Sequence, residues 1–274
     1  EEQMIERTRF FKVYMSNTTC IEKKEFREEV EKVYEKGGKV AFHCEDEEMF
    51  GPMGEDLEGY NTQRPPESEK SAIEKLKEYP EGPKRVCHIS TKEGLEAARK
   101  DSYLTEVTPH HLFMNHEAFL GPFGKVNPPL RTQGDQLSLW EAFEREEIDI
   151  IASDHAPHLE EEKSEFKDAP AGIPGVETMY PLLLNSANMG DISVSTVIKA
   201  LAENPADHLG IKKGYIREGY YADLIVTSFQ AVEKIERERL HHKAGWSPFE
   251  GFNAIFPRHV ISRGEFIVKD REFV

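Results

Sequence analysis

Cysteine is scarce: Cys20, Cys44 and Cys87 are the only three in 274 residues, and no pair has C-x-x-C spacing. An odd, scattered set argues against a disulfide framework and reads as reduced thiols in a cytoplasmic protein. Basic residues are outnumbered, with Lys+Arg at 35 against Asp+Glu at 51, a net charge of −16. That balance argues against a nucleic-acid partner and against an anionic membrane surface. No apolar run approaches the ~20 residues that cross a bilayer, and no signal-peptide pattern opens the chain. Internal repeats and low-complexity segments are also missing.

What is present suffices for a core: 38% hydrophobic residues, including 16 Phe and 9 Tyr. The length fits one large domain, or one large and one small. Short apolar runs alternate with amphipathic helical stretches. Strands are expected at Phe10–Met15, Lys39–Phe42, Arg85–Cys87, Ser102–Val107 and Ile148–Ala152. Helices are expected at Lys24–Lys36, Ser68–Tyr79, Glu93–Lys100, Gln136–Phe143, Val176–Asn185 and Val194–Leu201. This alternation implies parallel βαβ units and an α/β fold. Polar residues just past strand ends are where a (β/α)8 barrel of the TIM type carries its chemistry. Five such strands are too few to close a barrel, so it is read as incomplete, about strands 4–8.

After Gly214 the texture changes. Tyr215–Gly219, Ala222–Thr227, His259–Ser262 and Phe266–Val268 read as short strands between Gly-containing turns. Two units are therefore expected, a partial barrel over residues 1–213 and a small β-subdomain segment over 214–274. Glu160–Lys167 reads as a solvated charged loop.

Taken singly, a histidine at a strand end is more often structural than functional. Here His43, His88 and Asp154 follow three separate strands, and strand exits in a barrel converge on one mouth. Histidine nitrogens with a carboxylate suit zinc or a similar divalent ion. Lys12 interrupts the apolar run Phe10-Phe11-Lys12-Val13-Tyr14-Met15, so it is expected to point inward. A buried ammonium requires a partner carboxylate or a chemical change.

In order along the chain come FFKVYMSNTT, FHCEDE, VCHIS, EVTPHHLF, KVNPPLR, IIASDHAPH, GIPGVETMYPLLL, AENPADHLGI, GYYADLIV and WSPFEG. Together, from about residue 10 to the end, they resemble the dihydroorotases, cyclic amidohydrolases of the amidohydrolase superfamily. The resemblance implies a metal-dependent hydrolase that reversibly cyclises N-carbamoyl-L-aspartate to L-dihydroorotate in pyrimidine synthesis. It implies two zinc ions bridged by a carbamate formed on Lys12, with His43 and His88 as ligands of the second ion. Asp154 then matches a ligand of the first ion that also shuttles the proton, as base and then acid. His158 and Asn127 match positions that hold the substrate carboxylate and ring, and the turn Gly172, Pro174, Gly175 borders the substrate. His110 and His111 are read as scaffold or as supports behind the ligands, while His155, His241 and His242 are left as structural or surface groups.

Allantoinases and hydantoinases share the lysine, the two histidines and the aspartate, so those four do not discriminate. A donor for the substrate carboxylate at His158, with TPHHL and WSPFEG, favours dihydroorotase. The resemblance also has a gap, because the family opens with His-x-His and this chain contains none. The expectation is that an N-terminal segment of the same protein supplies it, and that these 274 residues alone are not a complete catalyst. A non-catalytic scaffold subunit is the alternative from another class. The partners implied are a small-molecule substrate, no nucleic acid and no membrane, with an aspartate transcarbamoylase or a second copy of the chain as candidate assemblies.

Overall fold

A computed structural model describes residues 8–16 and 23–274. Cys20, read above as a reduced thiol, lies outside the described residues. The first strand, β1 (Phe10–Tyr14), buries Val13 among the helices and turns Lys12 and Tyr14 to the other face. This is the period-2 alternation of a strand with two different faces. Helix α1 (Lys23–Glu35) follows and packs Val30 and Val33 inward. Strand β2 (Lys39–His43) is buried along nearly its whole length, as expected of a parallel strand with both faces covered.

Helices α2 (Leu57–Gln63) and α3 (Pro66–Lys75) then lead to β3 (Lys84–Val86). Helix α4 (Lys92–Lys100) is capped by Thr91, whose side chain accepts from Gly94 N. Next come β4 (Leu104–Val107), α5 (Pro109–Phe113), α6 (Gln133–Glu144) and β5 (Ile150–Ile151). The five strands form one parallel sheet in sequential order, β1-β2-β3-β4-β5. That is the expected α/β barrel wall, and among the described residues it stays open at β1 and β5.

Helices α7 (Val176–Met189), α8 (Val194–Ile198) and α9 (Asn204–Leu209) complete this part. Between α8 and α9 the backbone widens into a π-helical turn, Lys199–Glu203. Pro205 has no N–H to return to the preceding turn, and a local π register accommodates that gap. Phe42, Val86, Val107, Leu139, Phe143 and Leu183 belong to the core between sheet and helices.

In the C-terminal segment β6 (Leu224–Val226), β9 (His259–Ser262), β10 (Glu265–Lys269) and β11 (Glu272–Phe273) form an antiparallel sheet ordered β11-β10-β9-β6. Strands β7 (Glu233–Lys234) and β8 (Asn253–Ala254) pair separately. A second core joins the two regions, with Ile235, Trp246, Phe249 and Ala254 packed among Tyr60, Val126, Leu130, Ile173 and Leu182.

Two expectations fail locally. Tyr215–Gly219 is a run of turns, not a strand; Gly214 and Gly219 bracket it at φ +81° and +84°. Its Tyr and Ile have high strand propensity, but no neighbouring strand is there to pair with. Glu160–Lys167 is not simply a solvated loop, because Lys163 within it is fully buried.

Candidate metal and substrate site

The parallel pairing sets Lys12, His43 and His88 on three neighbouring strands, with Asp154 arriving from β5. Lys12 pairs in register with Ala41 and Tyr14 with His43, while Phe42 pairs with Val86 two residues before His88. Lys12 Nζ reaches to 3.4 Å from His88 Nε2 and 4.0 Å from Asp154 Oδ1. His43 Nδ1 lies 3.0 Å from His88 Nε2. The expected inward direction of Lys12 is therefore seen, although its side chain remains 30% exposed at the open mouth. The aspartate across the site is also the carboxylate partner that an unmodified ammonium would need.

His88 and Asp154 have positive φ, +39° and +43°. Such a conformation costs a non-glycine residue roughly 1–3 kcal/mol and concentrates at functional positions. Both follow a strand end, where the chain turns sharply to aim the side chain back over the sheet.

Electrostatics sort the protonation states. Burial drives the His88 pKa well below its ordinary value, with His43 and Lys12 pushing the same way. His88 is therefore neutral, the form that ligates a metal. Burial alone would lower the Lys12 pKa, but Cys87, Asp154, Tyr14 and Glu106 outweigh it and raise it. The amine is thus a cation unless its chemistry changes.

His43 is anchored from behind. Its Nε2 is 2.6 Å from Glu45 Oε2, and Glu45 receives Arg64 Nε at 3.0 Å and Arg64 Nη2 at 2.5 Å. Burial opposes ionisation of Glu45, yet His43 and Arg64 overcome it and bring the pKa down to about 2. A carboxylate behind an imidazole fixes its tautomer and leaves the opposite nitrogen, here Nδ1, facing the site. Glu45 and Arg64 went unassigned in the sequence; FHCEDE was the available signal for the first.

Deeper in, Glu69 accepts from Ser90 N (2.8 Å), Ser90 Oγ (3.0 Å), Thr91 N (2.9 Å) and the Thr91 hydroxyl. Arg131 Nε donates to Ser90 Oγ at 3.0 Å, and Arg131 Nη1 donates to Asn61 Oδ1 at 2.8 Å. This network holds the turn that carries His88. His110 and His111 are buried, and His111 bridges Thr108 Oγ1 (2.8 Å) and Pro128 O (3.1 Å), in keeping with a scaffold role.

Of the expected substrate residues, His158 and Gly172 lie against one another, and Gly172 bonds the backbone two residues before Asn127. Asn127 Oδ1 accepts from Tyr60 Oη at 2.6 Å. His158 O accepts from Trp246 Nε1 at 2.9 Å. Gly172 N donates to Lys125 O at 2.9 Å, and a Cβ at Gly172 would lie 3.2 Å from His158 Nε2. Pro174 and Gly175 are buried. His155 Nδ1 accepts from Gly175 N (3.1 Å) and Val176 N (3.3 Å), so it secures the start of α7.

The donor set fits a divalent cation in part. Two imidazole nitrogens face one another at 3.0 Å, with Lys12 Nζ beside them and Asp154 across. Among the described residues, no three His, Cys, Asp or Glu side chains come close enough to hold a metal by themselves. Lys12 therefore has to count as a donor, and an ammonium has no lone pair to give.

Strands presenting Lys, His, His and Asp at one end of a parallel sheet define a hydrolase barrel of the amidohydrolase kind. The sequence profile of the amidohydrolase family matches residues 23–253, and the chain belongs to that family. The family is generally metal-dependent. Among curated relatives, a dihydroorotase of Thermoplasma volcanium is 40% identical over 248 residues, covering 89% of this chain and 59% of that protein. The dihydroorotase of Archaeoglobus fulgidus is 44% identical over 207 residues, covering 74% and 50%. The chain thus spans about three fifths or less of these relatives. L-hydantoinase of Arthrobacter aurescens superposes with a TM-score of 0.90 at 26% identity, over 96% of this chain and 65% of that one. A D-hydantoinase from Thermus sp. also reaches 0.90, at 25% identity, over 100% and 67%. No helix among the described residues is long and apolar enough to cross a membrane.

Proposed function

We propose that this chain carries part of a dihydroorotase site, for the reversible cyclisation of N-carbamoyl-L-aspartate to L-dihydroorotate. The observation that carries the reading is the convergence of Lys12, His43, His88 and Asp154 at one end of the sheet. Dihydroorotase relatives at 34–44% identity support the substrate assignment.

His43 Nδ1, His88 Nε2, Asp154 and a Lys12 carbamate would hold zinc, two ions in this reading, supplying Lewis-acid polarisation and a water acidic enough to ionise near neutral pH. Carboxylation would turn Lys12 from a cation into an oxygen donor, which also resolves the missing lone pair. Asp154, half-open to the mouth, accepts the proton of the attacking water and returns it to the ring nitrogen, base and then acid. His158 donates to the substrate carboxylate and Asn127 orients the ring, with Gly172, Pro174 and Gly175 forming the wall behind. The supporting geometry is the bond from Gly172 N to Lys125 O, two residues before Asn127, and the closeness of Gly172 to the His158 ring.

This reading includes a 1–213 barrel part and a 214–274 β-subdomain segment, the latter supported by its antiparallel sheet. A cytoplasmic setting is supported by the free, buried Cys44 and Cys87. The His-x-His ligands would come from another segment of the same protein; self-association and a transcarbamoylase partner belong to the same reading.

A hydantoinase reading is favoured by the solved neighbours and separates at His158. In the complete protein, His158→Ala should raise KM for dihydroorotate about 10- to 100-fold, the worth of a charge-assisted hydrogen bond. Hydrolysis of hydantoin, which has no carboxylate, should change little. Equal losses on both substrates, or turnover of hydantoin but not dihydroorotate by the unaltered protein, would refute the assignment.

A further inference from the structure

Lys163 is fully buried, and none of the ion pairs among the described residues involves it. Its Nζ donates to three backbone carbonyls, Lys125 O at 3.3 Å, Pro170 O at 2.8 Å and Gly172 O at 3.0 Å. An ammonium has three protons, so these acceptors satisfy it completely. Burying a charge without a counter-ion is costly, and a neutral or apolar side chain would avoid that cost. What the ammonium uniquely offers is three divergent, charge-assisted donors from one point.

Those three acceptors are not arbitrary. Lys125 lies two residues before Asn127, and its carbonyl also receives Gly172 N. Gly172 sits against the His158 ring, with φ +138° and a would-be Cβ 2.6 Å from Ala156 O. Trp246 lies 5.7 Å from the ammonium and donates its Nε1 to His158 O. Lys125 reciprocates, donating its own Nζ to Phe166 O at 2.8 Å and Lys167 O at 3.3 Å. Two lysines thus tie the 163–172 stretch to residue 125 through backbone carbonyls, and Trp246 links the same ammonium to His158. Burial and the neighbouring Lys125 lower the Lys163 pKa to about 8, which still leaves the ammonium dominant at neutral pH.

We propose that Lys163 is a positioning residue for substrate binding, its ammonium fixing the segment that carries His158 and Gly172 against the stretch that carries Asn127. The proposal rests on the assignment of those residues to the substrate. It places Lys163 outside the reacting groups, so its loss should appear in KM rather than in kcat.

The test is Lys163→Met in the complete, metal-loaded protein, with Trp246→Phe as a second variant that keeps an aromatic side chain and removes the bond to His158. Lys163→Met should raise KM for dihydroorotate at least tenfold with kcat within threefold. Amide hydrogen exchange over residues 156–175 should accelerate at least tenfold, while exchange in β2 and β3 stays unchanged. In Lys163→Ala, added propylammonium should restore KM and equimolar propanol should not, which separates a donor from a space-filler. Should Lys163→Met fail to fold, Trp246→Phe must still raise KM and speed exchange at 156–160. KM and exchange both within twofold of the parent would overturn the proposal, as would equal rescue by propanol. If the unaltered protein does not turn over dihydroorotate, the exchange measurement still decides the clasp while the substrate reading fails alone.

Discussion

His43 Nδ1 and His88 Nε2 stand 3.0 Å apart although 45 residues separate them in the chain. Parallel neighbours β2 and β3 end on the same side, and the positive φ of His88 turns its ring back toward His43. Behind His43, the pair Glu45 and Arg64 leaves only Nδ1 to face the gap.

Glu45→Gln keeps the shape and removes the charge behind His43. Metal affinity of the complete protein should fall about 10- to 100-fold, as for other outer partners of metal-bound histidines. Metal titration followed calorimetrically measures this. An affinity within twofold of the parent would show that Glu45 serves folding alone.

Asp154→Asn removes the proposed proton carrier while preserving size and the local turn, since asparagine tolerates positive φ. Turnover should drop by about 10²–10⁴ in both the hydrolytic and cyclising directions. Rates in the two directions, measured on the same preparation, must fall together. Near-normal turnover in either one would remove Asp154 from the mechanism.

Acid should destabilise the fold through Glu45. Its folded pKa is about 2 against an ordinary 4.5, so its stabilisation is fully present above about pH 4.5 and is lost as pH falls toward 2. The linked free energy is on the order of 3 kcal/mol. Urea unfolding at pH 6, 4 and 3 reads it out. In Glu45→Gln the fall over this window should be correspondingly smaller.

Gly172→Ala combines two penalties, a φ of +138° and a methyl group 2.6 Å from Ala156 O. A loss of about 1–3 kcal/mol is expected from the strained backbone, and more from the clash. Denaturant midpoints report the stability, and KM for dihydroorotate reports the displaced His158. An unchanged midpoint would mean that the turn relaxes freely.

Glu69→Ala should cost about 3–5 kcal/mol, because Ser90 N and Thr91 N lose their acceptor while buried. Equilibrium unfolding tests this, and a change below 1 kcal/mol would show that water replaces the carboxylate.

The four candidate ligands were legible because each stands in or just beyond a short apolar run, a purely local pattern. Lys12 stood out as a charge inside an apolar alternation. Helix α2 was not legible: its buried apolar positions are Leu57 and Tyr60 within seven mostly polar residues, too few to set a period. Tyr215–Gly219 was misread because β-propensity needs a neighbouring strand to become a strand. Lys163 looked like part of a solvated charge run, since nothing local signals three carbonyls converging from residues 125, 170 and 172.

By itself the sequence determined the five strands of the open parallel sheet, most of the helices between them and which residues stand at the strand ends, because alternation and strand exits are short-range patterns. Tertiary structure alone decided which nitrogen of His43 faces the gap, which carboxylate holds it, and that Lys163 is a buried clasp. Those outcomes depend on burial and on partners brought together from distant parts of the chain, where low dielectric makes each unpaired group costly and each completed contact specific.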